Sequence, residues 1–366
     1  MSNTVKRLAR NVKRAGSDRY LLLMLISFAL SVSLTRGFLD LTGYPQLGSS
    51  ELHIAHVVWG GLILFIAAIL PLIYANRWVY QVTAALSGLG VGLFIDEIGK
   101  FITQSNDYFY PPAAPIIYGF FLLTVVLYSS IKRTPTRDDR TELYHVLDLL
   151  EEVLDYDLDP EEKEDLEETL ARVKSVTKNP DYTTLADELT HFIATQQPKT
   201  SRKSLYLTDQ LNLFLEKTQQ RVPVKFLHYF CVIALLLIGG FMTIYPLQVY
   251  LASTSPDKLN HILQPLIQQQ LVSSSTEFSW YIIRLALEIA TGCLFILSAG
   301  LLLTRRIKAG LNVSYFGMIL AFTIVDLLIF YYDQFSTIFF VTIQLIVFIA
   351  INTYRRKEII AASKRG

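Results

Sequence analysis

Residues 52–75, LHIAHVVWGGLILFIAAILPLIYA, contain no Asp, Glu, Lys or Arg. A helix needs about 20 predominantly apolar residues to cross the hydrocarbon core of a bilayer. This stretch therefore predicts one membrane-spanning helix. The rest of the chain has the same character, because 52% of its 366 residues are hydrophobic and its mean hydropathy is +0.36. The composition predicts an integral membrane protein.

Seven more apolar stretches of similar length occur along the chain. The predicted fold is thus an all-α integral membrane protein with eight transmembrane helices, at residues 20–39, 52–75, 79–102, 112–131, 226–250, 278–304, 309–332 and 336–354. The predicted domain organisation is a basic tail at 1–19, four spans within 20–132, an acidic helical domain at 133–225, four spans within 226–356 and a short tail at 357–366.

Basic residues lie at alternate ends of these spans. Lys and Arg are abundant in the N-terminal tail, and at least one of them follows spans two, four, six and eight. The loops at 40–51, 103–111 and 333–335 contain neither, and 251–277 contains only Lys258. Cytoplasmic loops are enriched in Lys and Arg, so the pattern predicts a plasma-membrane protein with both termini in the cytoplasm. The first apolar run lacks a cleavage pattern and is expected to be retained.

The acidic segment between spans four and five predicts a small helical cytoplasmic domain. Asp159 followed by Pro160 is a typical helix start. Shorter helices are predicted near 183–195 and 204–219. Apolar side chains recur at helical spacing at Leu143, Val146, Leu147, Leu150 and Leu154. The acidic surface of this domain suggests a cytoplasmic protein partner.

The stretch DEIGK at 96–100 places three ionisable side chains near the end of the third span. Asp96 and Lys100 are four residues apart and share a helix face, which predicts an ion pair. Gly88, Gly92 and Gly99 lie near the same side and favour close helix contact. His53 and His56 open the neighbouring second span. Antiparallel neighbours joined by a short turn touch, so these histidines and carboxylates are expected to converge near the extracytoplasmic surface.

Three interpretations of this cluster are open. In the first it is structural, with Asp96 paired to Lys100 and with Glu97 and Asp107 solvated. In the second, the two histidines and Asp96 bind Zn²⁺ or a similar divalent metal. Glu97, Asp107 and Lys100 are then the candidate catalytic residues of a metal-dependent membrane hydrolase. In the third, the protein is a proton- or ion-coupled transporter, or a membrane sensor or scaffold acting through its cytoplasmic domain.

The second half of the chain has fewer charged residues clustered within its predicted spans. Arg284 and Glu288, four residues apart, predict an internal ion pair. Asp326 and Asp333 fall in the seventh span, and Asp40 ends the first. Each half has an Asp in its third helix, and the two halves share one orientation. The chain is therefore a candidate for two four-helix parallel repeats.

The stretches ELHIAHVVWGG and GLGVGLFIDEIGKFITQSNDYFYPPAAPIIY together resemble an uncharacterised family of bacterial multi-pass membrane proteins, over about residues 50–120. That family has no assigned activity, so the resemblance implies location alone. The chain has no Walker A, dinucleotide-binding or GxSxG motif. Its two cysteines lie in apolar segments and predict neither a disulfide nor a metal site. The lipid bilayer is the expected partner, and nothing predicts nucleic-acid binding.

Overall fold

A computed structural model describes residues 12–43, 56–105, 107–108, 110–132, 139–154, 158, 160–177, 179–195, 222–252, 264, 267 and 275–363. Its α-helices are α1 Ser17–Thr42, α2 His56–Ile73, α3 Arg77–Asp96, α4 Ile98–Ile102, α5 Ala113–Lys132, α6 Asp139–Leu154, α7 Pro160–Val176, α8 Pro180–Ala194, α9 Val224–Ala252, α10 Ser275–Leu303, α11 Ile307–Leu320, α12 Asp326–Asp333 and α13 Ile338–Ser363. No strand occurs in these residues.

Eight helical segments of the described chain are long and apolar enough to cross a membrane. They are α1, α2, α3, α5, α9, α10, the run from Ile307 to Asp333, and α13 up to Ile359. The prediction of an all-α, multi-pass membrane protein is therefore confirmed. Two spans differ from the expected single helix. The third ends at Asp96, before the short α4, and the seventh contains a π-helical segment, Ala321–Val325, between α11 and α12.

The chain forms two compact units, Met1–Ile95 with Leu123–Phe214, and Asp96–Leu122 with Leu215–Gly366. Glycines let the spans of the first unit approach closely. A Cβ on Gly88 would lie 2.2 Å from the Met24 carbonyl oxygen, and one on Gly92 would lie 2.5 Å from Ser31. The Ser31 hydroxyl donates to the Leu89 carbonyl at 3.0 Å. The expected close helix contact at these two glycines is confirmed, because only a missing side chain permits it.

The insert, defined as α6, α7 and α8, belongs to the first unit. Pro160 is the first residue of α7, as the sequence predicted, while Asp159 lies outside the described residues. Asn179 caps α8 by accepting the Asp181 N–H at 3.0 Å. The predicted helix at 204–219 also falls outside the described residues.

The buried face of α6 is rotated from the expected one. Leu143 and Val146 are buried as predicted, but Leu147 and Leu154 are exposed. Leu150 is partly buried against the core. The face is completed by Leu149 and Val153, which contact a core formed with Leu158, Leu166, Leu170, Val173, Ala186 and Ile193. An apolar run alone does not distinguish these two faces, because both satisfy helical spacing.

Two ion pairs connect the insert to the membrane helices of the first unit. Arg14, just before α1, lies 3.2 Å from Asp148, and Arg77, the first residue of α3, lies 3.3 Å from Glu162. Residues 139–195 contain seventeen Asp and Glu but five Lys and Arg. The excess of negative charge on the insert is thus partly balanced by basic residues at the ends of two spans.

In the second unit, α9 and α10 pack most closely at two glycines. A Cβ on Gly239 would lie 2.8 Å from the Gly292 carbonyl oxygen, and the reverse distance is also 2.8 Å. Around them is the main apolar core, which includes Leu235, Met242, Phe295, Met318 and Ile351. Val325, the residue before Asp326, belongs to this core, whereas Tyr281 and Tyr332 near Arg284 belong to a separate apolar cluster.

Within the insert, an ionised carboxylate contributes to stability in a pH-dependent way. His145 Nε2 lies 3.1 Å from Asp165 Oδ2, and this hydrogen bond is the main reason that the pKa of Asp165 lies below its usual range. Because the folded-state pKa is lowered, ionised Asp165 stabilises the fold at pH values above its unfolded-state pKa. That contribution disappears as the pH falls through the folded-state pKa.

We therefore expect Asp165→Asn to lower the melting temperature at neutral pH, and the difference from wild type to vanish in acid. The effect should be small, because the Asp165 side chain is 48% exposed. Thermal unfolding of the full chain in detergent across pH measures it, with the exposed Glu188→Gln as the matched control. A difference that does not change with pH would contradict the argument.

Candidate functional site

The DEIGK stretch lies where α3 ends and α4 begins. α3 ends at Asp96, Glu97 has φ −92° and ψ 12°, and α4 starts at Ile98. The Lys100 N–H donates to the Glu97 carbonyl at 3.0 Å, so the chain makes one tight turn here. Asp96 is 0% exposed and Glu97 is 1% exposed. This break in the helix determines the direction in which each acidic side chain points.

Glu97 is the partner that the structure gives to Lys100. The Lys100 ammonium lies 2.6 Å from Glu97 Oε1. The expectation that Glu97 is solvated is therefore wrong, because the helix break turns this side chain inward. The sequence had assigned Lys100 to Asp96 on the spacing of an unbroken helix. A buried carboxylate with a hydrogen-bonded ammonium avoids most of the cost of an unpaired charge.

Asp96 accepts a hydrogen bond from the loop that follows α4. The Tyr108 hydroxyl donates to Asp96 Oδ2 at 2.7 Å. The Asp107 N–H donates to the Thr103 hydroxyl at 2.8 Å, which itself donates to the Gly99 carbonyl. The sequence analysis did not predict this contact, because Tyr108 is twelve residues from Asp96 and lies in the loop. The loop thus folds back onto α4, and the buried charges help to hold it there.

The predicted metal ligands lie on the second and third spans. His56 is the first residue of α2 and is half-buried, and Asp96 is the last residue of α3 and is buried. His53 lies outside the described residues. Across the described ranges, no group of three or more His, Cys, Asp or Glu side chains has a geometry suited to a metal ion. A zinc site that includes His53 stays a prediction.

A second polar site lies inside the second unit, around Arg284 of α10. Arg284 is 2% exposed, and its Nε donates to Glu288 Oε1 at 2.6 Å. The predicted Arg284–Glu288 ion pair is confirmed. Asp333, at the end of α12, is an additional partner. Its Oδ1 accepts from Nη1 at 3.2 Å, and its Oδ2 accepts from Nη2. One guanidinium therefore binds carboxylates from two spans, with the bidentate geometry that Arg favours.

Aromatic rings cover the Arg284 guanidinium. Its Cζ lies 5.8 Å from the Tyr281 ring centroid and 5.4 Å from that of Tyr332, and these two rings meet edge to face. Such contacts add cation–π attraction and keep the ion pair dry. The Asp333 side chain is 37% exposed, whereas that of Glu288 is 5% exposed. The network therefore joins a partly exposed carboxylate to a buried one.

Asp326 is the most enclosed carboxylate of the last four spans. It is 0% exposed, and neither of its oxygens accepts a hydrogen bond of normal length and angle from the described residues. The Gln344 amide of α13 and the Tyr118 hydroxyl of α5 lie within hydrogen-bonding reach of it, and the Glu288 carboxylate of α10 acts on it electrostatically. Gln344 is also 0% exposed, and its amide oxygen and nitrogen have no hydrogen-bond partner in the described chain. The surroundings of this carboxylate are thus an amide, a phenol and a second carboxylate.

The π-helical segment lies next to Asp326 and provides the carbonyl that accepts the Tyr118 hydrogen bond. The Asp326 N–H donates to the Ala321 carbonyl, five residues back, instead of to Phe322. The Tyr118 hydroxyl donates to the Phe322 carbonyl at 3.0 Å. Tyr118 therefore contacts the irregular backbone and also lies within hydrogen-bonding reach of the Asp326 carboxylate. π-Helical segments in α-helices occur frequently at functional sites.

The sequence analysis predicted the charged residues of this site but not its neutral residues, Tyr118 and Gln344. Arg284, Glu288, Asp326 and Asp333 were all predicted intramembrane polar residues. Gln344 could have been identified as a candidate site residue, because it is the one amide side chain in the apolar run IFFVTIQLIVFIA. Asp40, the remaining predicted residue, is exposed near the end of α1.

No protein-family model, curated protein or solved structure matches this chain. The resemblance of residues 50–120 to a bacterial membrane protein family therefore stays a prediction. The site must be interpreted from its own geometry.

We expect Tyr108→Phe to lower the free energy of unfolding by about 1–2 kcal/mol, because it removes a hydrogen-bond donor from the buried Asp96 carboxylate. Tyr110→Phe is the matched control, since Tyr110 is exposed in the same loop. Thermal unfolding of both variants in detergent measures the difference. Equal melting temperatures for the two variants would show that the hydrogen bond does not hold the loop.

The zinc prediction is tested by elemental analysis of the purified protein and of the His53→Ala/His56→Ala double variant. If the two histidines bind metal, wild type should hold about one divalent ion per chain and the double variant should hold none while staying folded. His145→Ala/His191→Ala, which changes two histidines of the insert, is the control. Absence of metal from wild type, even after reconstitution with zinc, would reject the site.

Proposed function

We propose that the protein is a proton- or ion-coupled transporter whose exchanging carboxylate is Asp326 in the seventh span. One observation carries this proposal. Asp326 is fully buried, makes no hydrogen bond of normal geometry within the described residues, and has the Glu288 carboxylate, which carries the same charge, acting on it electrostatically. Ionisable residues at membrane depth mark proton relays and ion pathways when they face the interior of a helix bundle.

The charge balance around Asp326 requires a ligand. An ionised carboxylate in an apolar interior costs several kcal/mol unless a positive charge compensates it. Glu288 does not compensate it, because Glu288 carries the same charge and is already bound to Arg284. A proton or a cation would neutralise Asp326. The alternate binding and release of such a species is the elementary step of coupled transport.

The arrangement of the other carboxylates supports a route to this site. Asp326 and Asp333 are the first and last residues of α12, about 10 Å apart along the helix axis. Asp333 is partly exposed, and Arg284 connects it to Glu288, which neighbours Asp326. Three carboxylates therefore form a series from a solvent-accessible position to an enclosed one.

The ends of α12 support a movable element. A π-helical segment precedes α12, and a 3₁₀ turn, Gln334–Thr337, follows it. Gln334 has φ 47°, which is unfavourable for a residue with a Cβ. Because both connections are irregular, α12 can shift as a short rigid segment and carry both aspartates with it. Short segments with irregular ends are typical hinges in switching proteins.

The proposed location is the plasma membrane of a bacterium, with both termini and the insert in the cytoplasm. Lys and Arg in the N-terminal tail and after every second span support this orientation. The ion pairs of Arg14 and Arg77 with the insert are consistent with it, because they require the insert to lie on the side of these two residues. The acidic insert is then available to a cytoplasmic protein partner.

We expect Asp326→Asn to reduce cation-driven proton flux to the rate of protein-free vesicles, because an amide neither gains nor releases a proton. Proteoliposomes with an acidic lumen and trapped pyranine are diluted into Na⁺ or K⁺ at a higher pH, and alkalinisation of the lumen is recorded. Asp40→Asn, which changes an exposed aspartate, should keep the wild-type rate. Wild-type flux in Asp326→Asn, or no flux above background in wild type under any of these gradients, would overturn the proposal.

A further inference from the structure

We propose that Asp326 and Gln344 form one binding site that takes either a proton or a monovalent alkali cation such as Na⁺, never both. This inference deepens the proposed transport function and rests on it for its physiological role. Four buried polar atoms carry it, namely both carboxylate oxygens of Asp326 and the amide oxygen and nitrogen of Gln344. The Gln344 amide and the Tyr118 hydroxyl lie within hydrogen-bonding reach of the Asp326 carboxylate. None of the four atoms, however, makes a hydrogen bond of normal length and angle within the described residues.

These unsatisfied atoms are unusual for a folded protein. Buried polar side-chain atoms nearly always have a partner, and each exception calls for an explanation such as an ion. Here two neighbouring side chains from different spans, α12 and α13, are both 0% exposed, and neither makes a hydrogen bond of normal geometry within the described residues. The Tyr118 hydroxyl donates to the Phe322 carbonyl at 3.0 Å and lies within reach of the carboxylate as a second acceptor. The arrangement of these two side chains therefore favours a bound ligand between spans seven and eight.

The donor atoms indicate the chemical class of the ligand. Carboxylate and amide oxygens are hard donors, which bind hard cations rather than soft metals. Membrane carriers place such oxygens, together with carbonyls freed by irregular helices, around Na⁺. A cation entering this site would meet the Asp326 carboxylate, the Gln344 carbonyl and the π-helical backbone just before Asp326.

Charge limits the ligand to one positive unit. Arg284 balances the buried Glu288, and its second carboxylate partner, Asp333, is 37% exposed, so Asp326 is the enclosed carboxylate that no described cation balances. A divalent ion at Asp326 would therefore leave an excess positive charge at the enclosed end of the site. A monovalent cation or a proton leaves none.

The same two side chains fit the protonated state. A protonated Asp326 gains an O–H donor, for which the Gln344 carbonyl is an acceptor, while the Gln344 amide N–H can donate to the other oxygen. Sodium binding requires the deprotonated carboxylate, so it must displace this proton. One site with two exclusive ligands gives an obligatory exchange of H⁺ for Na⁺.

The test measures proton release from the purified full chain in weakly buffered detergent solution when NaCl is added, with choline chloride as the salt control. We expect wild type to release up to about one proton per chain. Asp326→Asn should release none. Asp40→Asn should behave as wild type, because that aspartate is exposed in the first unit.

Gln344→Leu provides a second variant that keeps the carboxylate. It should raise the Na⁺ concentration for half-maximal release about tenfold or more, because it removes one oxygen ligand. Each variant is first checked for a monodisperse gel-filtration peak and a helical circular dichroism spectrum. Unchanged Na⁺ dependence in Gln344→Leu would overturn the paired site, even if Asp326→Asn released no proton.

The outcomes separate this inference from the transport function. If no alkali cation releases protons, yet flux in vesicles still depends on Asp326, the cation site is wrong and the carrier uses protons alone. If Na⁺ releases protons from wild type but not from Asp326→Asn, and vesicles show no flux, the site is correct and the transport function is wrong. Proton release that persists in Asp326→Asn would assign it to other groups and overturn the inference.

Discussion

The cost of placing an ionised side chain in an apolar interior governs the polar features of this membrane protein. Helices satisfy their own backbone, so apolar side chains suffice for most of each span. Arg284 is the clearest exception, and it is tolerated because Glu288 and Asp333 both hold its guanidinium while two tyrosine rings cover it. A pairing of this kind keeps both partners charged without exposing them to lipid.

The two acidic sites of the second unit respond to this constraint differently. At the end of α3, Glu97 binds Lys100 and Asp96 accepts from Tyr108, so both buried carboxylates have partners in the adjoining turn and loop. These contacts explain the DEIGK stretch as the anchor of a loop. Asp326 is equally buried, but the neutral groups within its reach, Gln344 and Tyr118, make no hydrogen bond of normal geometry to it in the described residues. This difference between the two sites directs a functional interpretation to the seventh span.

Hydropathy was sufficient to predict the eight spans, because a bilayer imposes a nearly fixed length on an apolar helix. The Arg284–Glu288 pair was also predictable, since i,i+4 neighbours share a helix face. Asp333 as a partner of Arg284 was not predictable, because it is 49 residues away and on another span. Helical spacing gave the wrong environment for Glu97, because the sequence does not reveal that α3 stops at Asp96. Tyr118 and Gln344 approach Asp326 only through the packing of three spans.

The helix that carries Asp326 also determines how the site can respond to its ligand. α12 begins at one aspartate and ends at another, with a π-helical segment before it and a 3₁₀ turn after it. In the proposed carrier, a shift of this short helix would change both the contact of Asp333 with Arg284 and the enclosure of Asp326. Neutralising Asp326 with a proton or a cation would remove the charge repulsion from Glu288, which the same Arg284 holds. Ligand binding at the buried end of α12 would then be linked, through this helix and one guanidinium, to the carboxylate at its partly exposed end.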